Sequence, residues 1–397
     1  MNQSARDTHT HGLDSQSGYL DFLPTVIVNT LAVILTFNVF IFWAKSNVRS
    51  YLWRTTYLHG FPLHYSGEGR ELALGFAVTS ALFLLLFAYP LLILINAANF
   101  DPEWLNPTDM GWVGSLILAV IVPVLLSLVG MILLFAPEID TSPFSIGVSA
   151  FVLWIAITFF MTLSRFLTYR YLFRHTHWRD GDGGVAGSPW KYAFKMLLPE
   201  MSVLLTAGWS GPWRFVRRFD LILNSAMFAG SAFEFNGNAR KLYGPFAIAW
   251  VSGVALTAAY IAMSNLVDSD AGVFFGIYVT VLTLGWFAGY VLVSAFYSAR
   301  VFAHIAESTS LGDVRFRFNA TYMEIAQLFF TNLVMNLLSA GFSYYYSRMR
   351  IARFIVRHLE IRGEIVAHAS DAGDEENELP EGIFGEGIEI LVAGSYF

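Results

Sequence analysis

Six cationic side chains carry the strongest chemical signal in this sequence: Lys45, Arg49, Arg170, Arg217, Arg300 and Arg353. They stand in basic stretches with aromatic neighbours, beside long apolar segments. An arginine fork at a membrane surface can capture an anionic group such as a lipid phosphate or an acidic solute. The same residues would also arise as ordinary positive-inside anchors with snorkelling side chains. A second set is Asn29, Asn332 and Asn336, which lie inside short apolar stretches with Glu200 and Glu324 near them. On a helix, Glu324, Asn332 and Asn336 share one face at spacings of eight and four. They could line a polar cavity, or equally make helix–helix hydrogen bonds.

Other chemistry is excluded or weak. There are no cysteines, so disulfides, thiolate nucleophiles and cysteine-based metal sites are absent. His175-x-His177, His59 and His64 have no well-spaced carboxylate to complete a metal site and read as exposed hairpin histidines. No nucleophile elbow or Ser-His-Asp pattern is visible. Gly181-Asp182-Gly183-Gly184 lacks the Lys-Ser/Thr that a phosphate-binding loop needs. The expectation is a protein that is not an enzyme, with no cofactor, no metal and no nucleic-acid partner. The long apolar segments hold essentially no charge, which argues against a pump with a buried carboxylate relay.

The elements that must position these residues belong to a membrane protein. Of 397 residues, 55% are hydrophobic and only 14% charged, where a soluble domain has about 25% charged. Five apolar stretches, Glu71–Asn96, Trp112–Ala136, Phe144–Leu172, Leu242–Val267 and Ala271–Ala303, approach or exceed the roughly 20 residues of a span. All 24 Lys and Arg fall within residues 6–70, 165–241 and 300–362. Basic loops stay in the cytoplasm, so these segments are assigned there. The acidic loops Phe100–Met110 and Val267–Ala271 go outside. That leaves about four spans, with Trp112–Ala136, interrupted by Pro123 and Gly130, as a re-entrant segment. Shorter apolar helices near Leu20–Phe37, Trp190–Ala207 and Tyr322–Ala340 lie between cytoplasmic segments. They are expected to dip in and return, turning at Asn38, Gly208 and Gly341.

A repeat runs through the basic segments. Anchored on the turn residues Gly60, Asp180, Gly230, Asp313 and Gly363, all five copies carry a bulky apolar residue two positions earlier. These are Leu58, Trp178, Phe228, Leu311 and Ile361. Lys45, Arg165 and Arg348 stand fifteen positions before their anchors; Arg217, Arg300 and Arg350 stand thirteen before theirs. Asp180 to Gly230 and Asp313 to Gly363 are both 50 residues, which suggests duplication of a tandem pair. Alternation around each turn predicts a small β-hairpin. The resulting division is a disordered cytoplasmic leader (1–17), a first repeat (18–70) and spans with the inserted segment (71–164). A tandem pair (165–241), two spans (242–299), a second pair (300–370) and an acidic tail (371–397) follow. The tail holds eight acidic residues and no basic ones; it reads as solvated, or as an internal counter-charge.

From Thr36-Phe37-Asn38 through Trp43-Ala44-Lys45 and Arg49-Ser50-Tyr51-Leu52-Trp53 to Gly60, the chain resembles the YjgN family. These are bacterial inner-membrane proteins with a domain of unknown function. The resemblance covers most of residues 18–390, with Asn38 in place of the usual Gly and the insertion near Trp112–Ala136 as departures. It implies an inner-membrane location, with the N-terminus cytoplasmic, and no particular reaction. The fold expected is an all-α polytopic membrane protein with internal repeats, re-entrant helix pairs and small cytoplasmic β-hairpins. The leading expectation for function is a transporter- or channel-like protein for a small or anionic solute. The alternative is a lipid-binding or envelope-organising protein, with anionic membrane lipids as partners.

Overall fold

The computed structural model describes residues 13–15, 21–36, 39–77, 142–179, 181–266, 272–339, 342–363 and 365. In chain order the labelled helices are α1 (Leu23–Leu35), α2 (Ile41–Thr55), α3 (Pro143–Arg174), α4 (Pro189–Leu205) and α5 (Gly211–Leu223). They continue with α6 (Arg240–Ser264), α7 (Val273–Ser308), α8 (Tyr322–Leu338) and α9 (Tyr344–His358). Proline in the first turn opens α1, α3, α4 and α5, where its missing N–H costs no helical bond. Pro199, expected to weaken a helix, lies buried inside α4 without ending it.

Among the described residues, three helices are long and apolar enough to cross a membrane: α3, α6 and α7. At about 1.5 Å per residue they run roughly 48, 37 and 54 Å, against a hydrocarbon core of about 30 Å. The expected span Glu71–Asn96 is helical over 69–77, and its remainder lies outside the described residues. So do the inserted segment Trp112–Ala136, the acidic loops, the acidic tail and most of the leader.

The helices stand on a β-sheet. Its strands are β1 (Leu13–Ser15), β2 (Thr56–Leu58), β3 (Phe61–Pro62), β4 (His64–Tyr65), β5 (Thr176–Trp178) and β6 (Gly181–Val185). The rest are β7 (Ala226–Phe228), β8 (Ser231–Phe235), β9 (Thr309–Leu311), β10 (Val314–Phe318) and β11 (Leu359–Arg362). Strands β4 to β11 form an antiparallel meander in chain order, and β1, β2 and β3 form a second sheet. Only Leu63 separates β3 from β4, and β1 lies against β11, so the two ends approach one another. The hairpins are joined to one another: β4–β5, β6–β7, β8–β9 and β10–β11 pair across copies.

The repeat explains the sheet's interior. Leu58, Trp178, Phe228, Leu311 and Ile361 meet in one buried cluster with Ala229, Val314 and Ile365. Each of the first four ends a strand just before a two-residue turn, opposite Phe61, Gly181, Ser231 and Val314. The first turn residue is left-handed in all four, with φ of +48° at His59, +54° at Arg179, +50° at Ala229 and +55° at Gly312. Gly60 and Gly230 continue with φ of +82° and +79°, the primed turn whose twist matches a hairpin.

Three helix pairs fold back on themselves: α1–α2, α4–α5 and α8–α9. Helices α2 and α9 run directly into a strand and α5 reaches one after two residues, and α4 and α8 each begin a few residues after one. Their turns share one device: the hydroxyls of Thr36, Thr206 and Ser339 accept from the N–H of Phe40, Ser210 and Ser343 at 2.9, 3.0 and 2.9 Å. All three hydroxyls stand twenty-four positions before their anchor residue. Gly208 is left-handed in the middle turn, as its place predicts, with Ala207 before it. Asn38 and Gly341 lie outside the described residues. The far ends of the pairs expose leucines: Leu35, Leu204, Leu205, Leu337 and Leu338, the last at 85%.

Candidate functional site

The inward faces of the three helix pairs hold polar side chains at matching rungs. Asn29 and Asn332 stand thirty-one positions before their anchors, and Asn47 and Arg350 thirteen before. In α1–α2, Asn47 Nδ2 donates to Asn29 Oδ1 at 3.0 Å. In α8–α9, Arg350 Nη1 donates to Asn332 Oδ1 at 2.9 Å. The middle pair has Glu200 thirty positions before its anchor, with Arg214 and Arg218 sixteen and twelve before. Glu200 accepts from Arg214 at 2.9 Å, from Arg218 at 2.6 Å and, across from α3, from Arg165 at 2.9 Å.

These rungs differ in charge. The Glu200 side chain is 8% exposed, and α4 lies outside the three helices that can span. Burial pushes its carboxyl pKa up, but Arg218, Arg214 and Arg165 together outweigh burial and hold it below the ordinary carboxylate value. Nearby, burial pushes the Tyr192 phenol up. Among the described residues the Tyr192 hydroxyl and the Nε atoms of Arg214 and Arg218 are buried without a hydrogen-bond partner. In α8–α9 the positive Arg350 meets neutral acceptors, Asn332 Oδ1 and the Met335 sulfur at 3.3 Å. Asn332 Nδ2 in turn donates to Ser347 O at 3.5 Å. Asn336 Oδ1 accepts from the hydroxyls of Ser343 at 2.7 Å and Ser347 at 3.2 Å. Beside Arg350 opens a groove of about 530 Å³ lined by Phe330, Thr331, Val334, Met335, Tyr346 and Arg350.

The structure disperses the residues singled out by sequence. Lys45 is half-buried on α2. Arg49 reaches Tyr65 Oη at 3.5 Å, and Arg170 donates to Gly187 O at 3.4 Å. Arg217 pairs with Asp220 one turn along its own helix at 2.6 Å. Arg300 is exposed on α7, over the Phe296 ring at 5.8 Å. Arg353 departs from the surface position expected of it. It is 1% exposed, with its guanidinium 5.9 Å from the Tyr51 ring centroid. Nearby, a buried cluster of Phe22, Val26, Ala44, Val48, Tyr345 and Met349 joins α1–α2 to α8–α9. Asn29, Asn332 and Asn336 make hydrogen bonds within their own helix pairs. Glu324 caps α8 through a reciprocal pair with Thr321 and lies 3.8 Å from His358.

The weaker motifs have structural partners. His177 is held by Asp182 at 2.6 Å and Ser66 at 2.9 Å. Among the described residues no three His, Asp or Glu side chains are grouped to hold a metal. Gly183 sits in β6 where a Cβ would collide with the backbone oxygen of Phe173, so this glycine lets the end of α3 approach the sheet. The residues that the sequence did not single out as a site are Glu200 with its three arginines, and Arg350. The signal was present: Arg350 lies in the repeat's basic column, and Glu200 lies one position from the column of Asn29 and Asn332.

No curated protein and no solved structure matches the chain. Residues 17–389 match a family described as bacterial protein of unknown function (DUF898), in agreement with the resemblance carried by the Trp43-Ala44-Lys45 segment. Apolar helices able to span a bilayer, a shared sheet at their feet and a match over nearly the whole length give one conclusion: the chain belongs to the DUF898 family of bacterial proteins.

Proposed function

We propose that this is a lipid-binding membrane protein of the bacterial inner membrane, with its sheet, basic helix feet and N-terminus on the cytoplasmic side. The three helix pairs enter the cytoplasmic leaflet and return, and the inward-facing Arg350 of α8–α9 meets an anionic headgroup. One observation carries this reading: the pairs are too short to cross, yet end in exposed leucines. Helix α8, at 17 residues, is about 26 Å long, less than the roughly 30 Å hydrocarbon core. A polar interior behind an apolar tip suits a helix pair standing half in lipid. Basic residues gathered at the sheet side support the orientation.

The experiment is native mass spectrometry of the protein released from bacterial membranes in mild detergent. Retained phosphatidylglycerol or cardiolipin, enriched over its share of the bulk lipid, is expected; retained lipid of bulk composition contradicts the proposal. Transport of a small anionic solute is the second reading, favoured because half-crossing helices in repeated units also build transporter sites. It requires a polar path, whereas the polar groups of α1–α2 and α8–α9 bond to one another. Solute flux into vesicles carrying the protein separates the two.

A further inference from the structure

We infer that the groove between α8 and α9 binds one anionic phospholipid, with Arg350 holding the headgroup phosphate and Phe330, Val334 and Met335 seating an acyl chain. This rests on the lipid-binding reading and names its site. The groove has the right division of surface: a trough of about 530 Å³ with apolar and aromatic walls and a single guanidinium. Phe330 and Leu337 are exposed on the same helix, so the trough lies beside lipid-facing surface. Arg350 lies nine residues before Leu359, the start of β11. It therefore stands about 13 Å along the helix from the sheet, a depth where the phosphate of a cytoplasmic-leaflet lipid can reach it.

Charge selects the headgroup. Among the described residues Arg350 donates to an amide oxygen and a thioether sulfur, and neither neutralises it. The middle helix pair shows what is absent. One position from the Asn332 column, Glu200 supplies a carboxylate that three guanidiniums approach to 2.6–2.9 Å. Pair α8–α9 instead offers its cation the amide of Asn332, and opens a groove beside it. A phosphate from outside completes the arrangement that Glu200 completes from within, through the charge-assisted bonds that guanidinium and phosphate form. A zwitterionic headgroup brings its own ammonium and competes poorly.

The test places the full chain in phosphatidylcholine vesicles doped with a phosphatidylglycerol bearing a photoreactive diazirine on its acyl chain. The matching phosphatidylcholine probe is the control. Cross-links from the phosphatidylglycerol probe are expected on residues 330–335, about tenfold above the control, and about tenfold weaker in Arg350→Gln. Val334→Trp fills the trough without touching Asn332, and should reduce labelling similarly even if Arg350→Gln misfolds. Equal labelling by both probes, or unchanged labelling in a folded Val334→Trp, overturns the site. Loss of labelling in excess inorganic phosphate would make a free anion the ligand. Labelling that appears only after removal of residues 371–389 would make the chain's own acidic segment the occupant. Preferential labelling elsewhere overturns this site but leaves the lipid-binding reading intact; no preference anywhere overturns both.

Discussion

The middle and last helix pairs share a turn, a length and a connection to the sheet, but they treat buried charge in opposite ways. In α4–α5 one carboxylate, Glu200, gathers Arg165, Arg214 and Arg218. In α8–α9 the neighbouring rung holds Asn332, and Arg350 has neutral acceptors beside an open groove. One scaffold therefore carries a closed electrostatic knot in one copy and, among the described residues, a cation met only by neutral acceptors in another. The first arrangement is costly to open, because removing one partner leaves buried charge behind. The second tolerates change and is available to an outside anion.

The largest expected effect follows from opening the knot. Glu200→Gln leaves three guanidiniums facing a neutral amide and should destabilise the protein by about 3–5 kcal/mol, read as a fall in thermal unfolding temperature in detergent. The pH dependence has a definite sign. The Glu200 pKa is lowered from 4.5, so its stabilisation is fully present above that value and is lost as pH falls through the lower folded value. Wild-type should therefore lose more stability on acidification than Glu200→Gln. Equal acid sensitivity would show that the knot contributes nothing.

Arg350→Ala should cost less, about 1–2 kcal/mol, since it removes the contacts to Asn332 Oδ1 and the Met335 sulfur and strands no opposite charge among the described residues. If it proved as damaging as Glu200→Gln by thermal unfolding, the contrast between the two pairs would fail. The smallest effects concern what the pairs have in common. Thr206→Ala and Ser339→Ala each remove a hydroxyl that accepts the first backbone N–H of the returning chain. Each should cost about 1 kcal/mol. Chemical unfolding of both variants would show unequal costs if the turns were not equivalent.

Much of the sheet was legible in the sequence, because its core depends on one apolar residue per copy. Leu58, Trp178, Phe228, Leu311 and Ile361 sit at a fixed distance from a turn, and all five meet. The pairing of hairpins across copies was not legible, since β4 finds β5 across more than one hundred residues and no local pattern encodes that choice. The candidate site was legible only in part. Basic columns showed where cations stand on each helix, but their partners come from other helices and differ in type. Arg217 turns to Asp220, Arg350 to Asn332, and Arg353 is buried against the first helix pair. Glu200 stood out only as a neighbour of the asparagines, because an acid at one rung and amides at the others do not align as a column. The shared hydroxyls Thr36, Thr206 and Ser339 were visible at constant spacing, yet such small residues carry meaning only once the turn they cap is seen.

The most direct test of the contrast converts one pair into the other with a single isosteric change. Asn332→Asp places a carboxylate where Arg350 already donates. Native mass spectrometry of this variant beside wild-type, both released in mild detergent, then reads the retained anionic lipid. The account predicts that Asn332→Asp loses that lipid by about tenfold while remaining folded. Undiminished retention by a folded Asn332→Asp would contradict it.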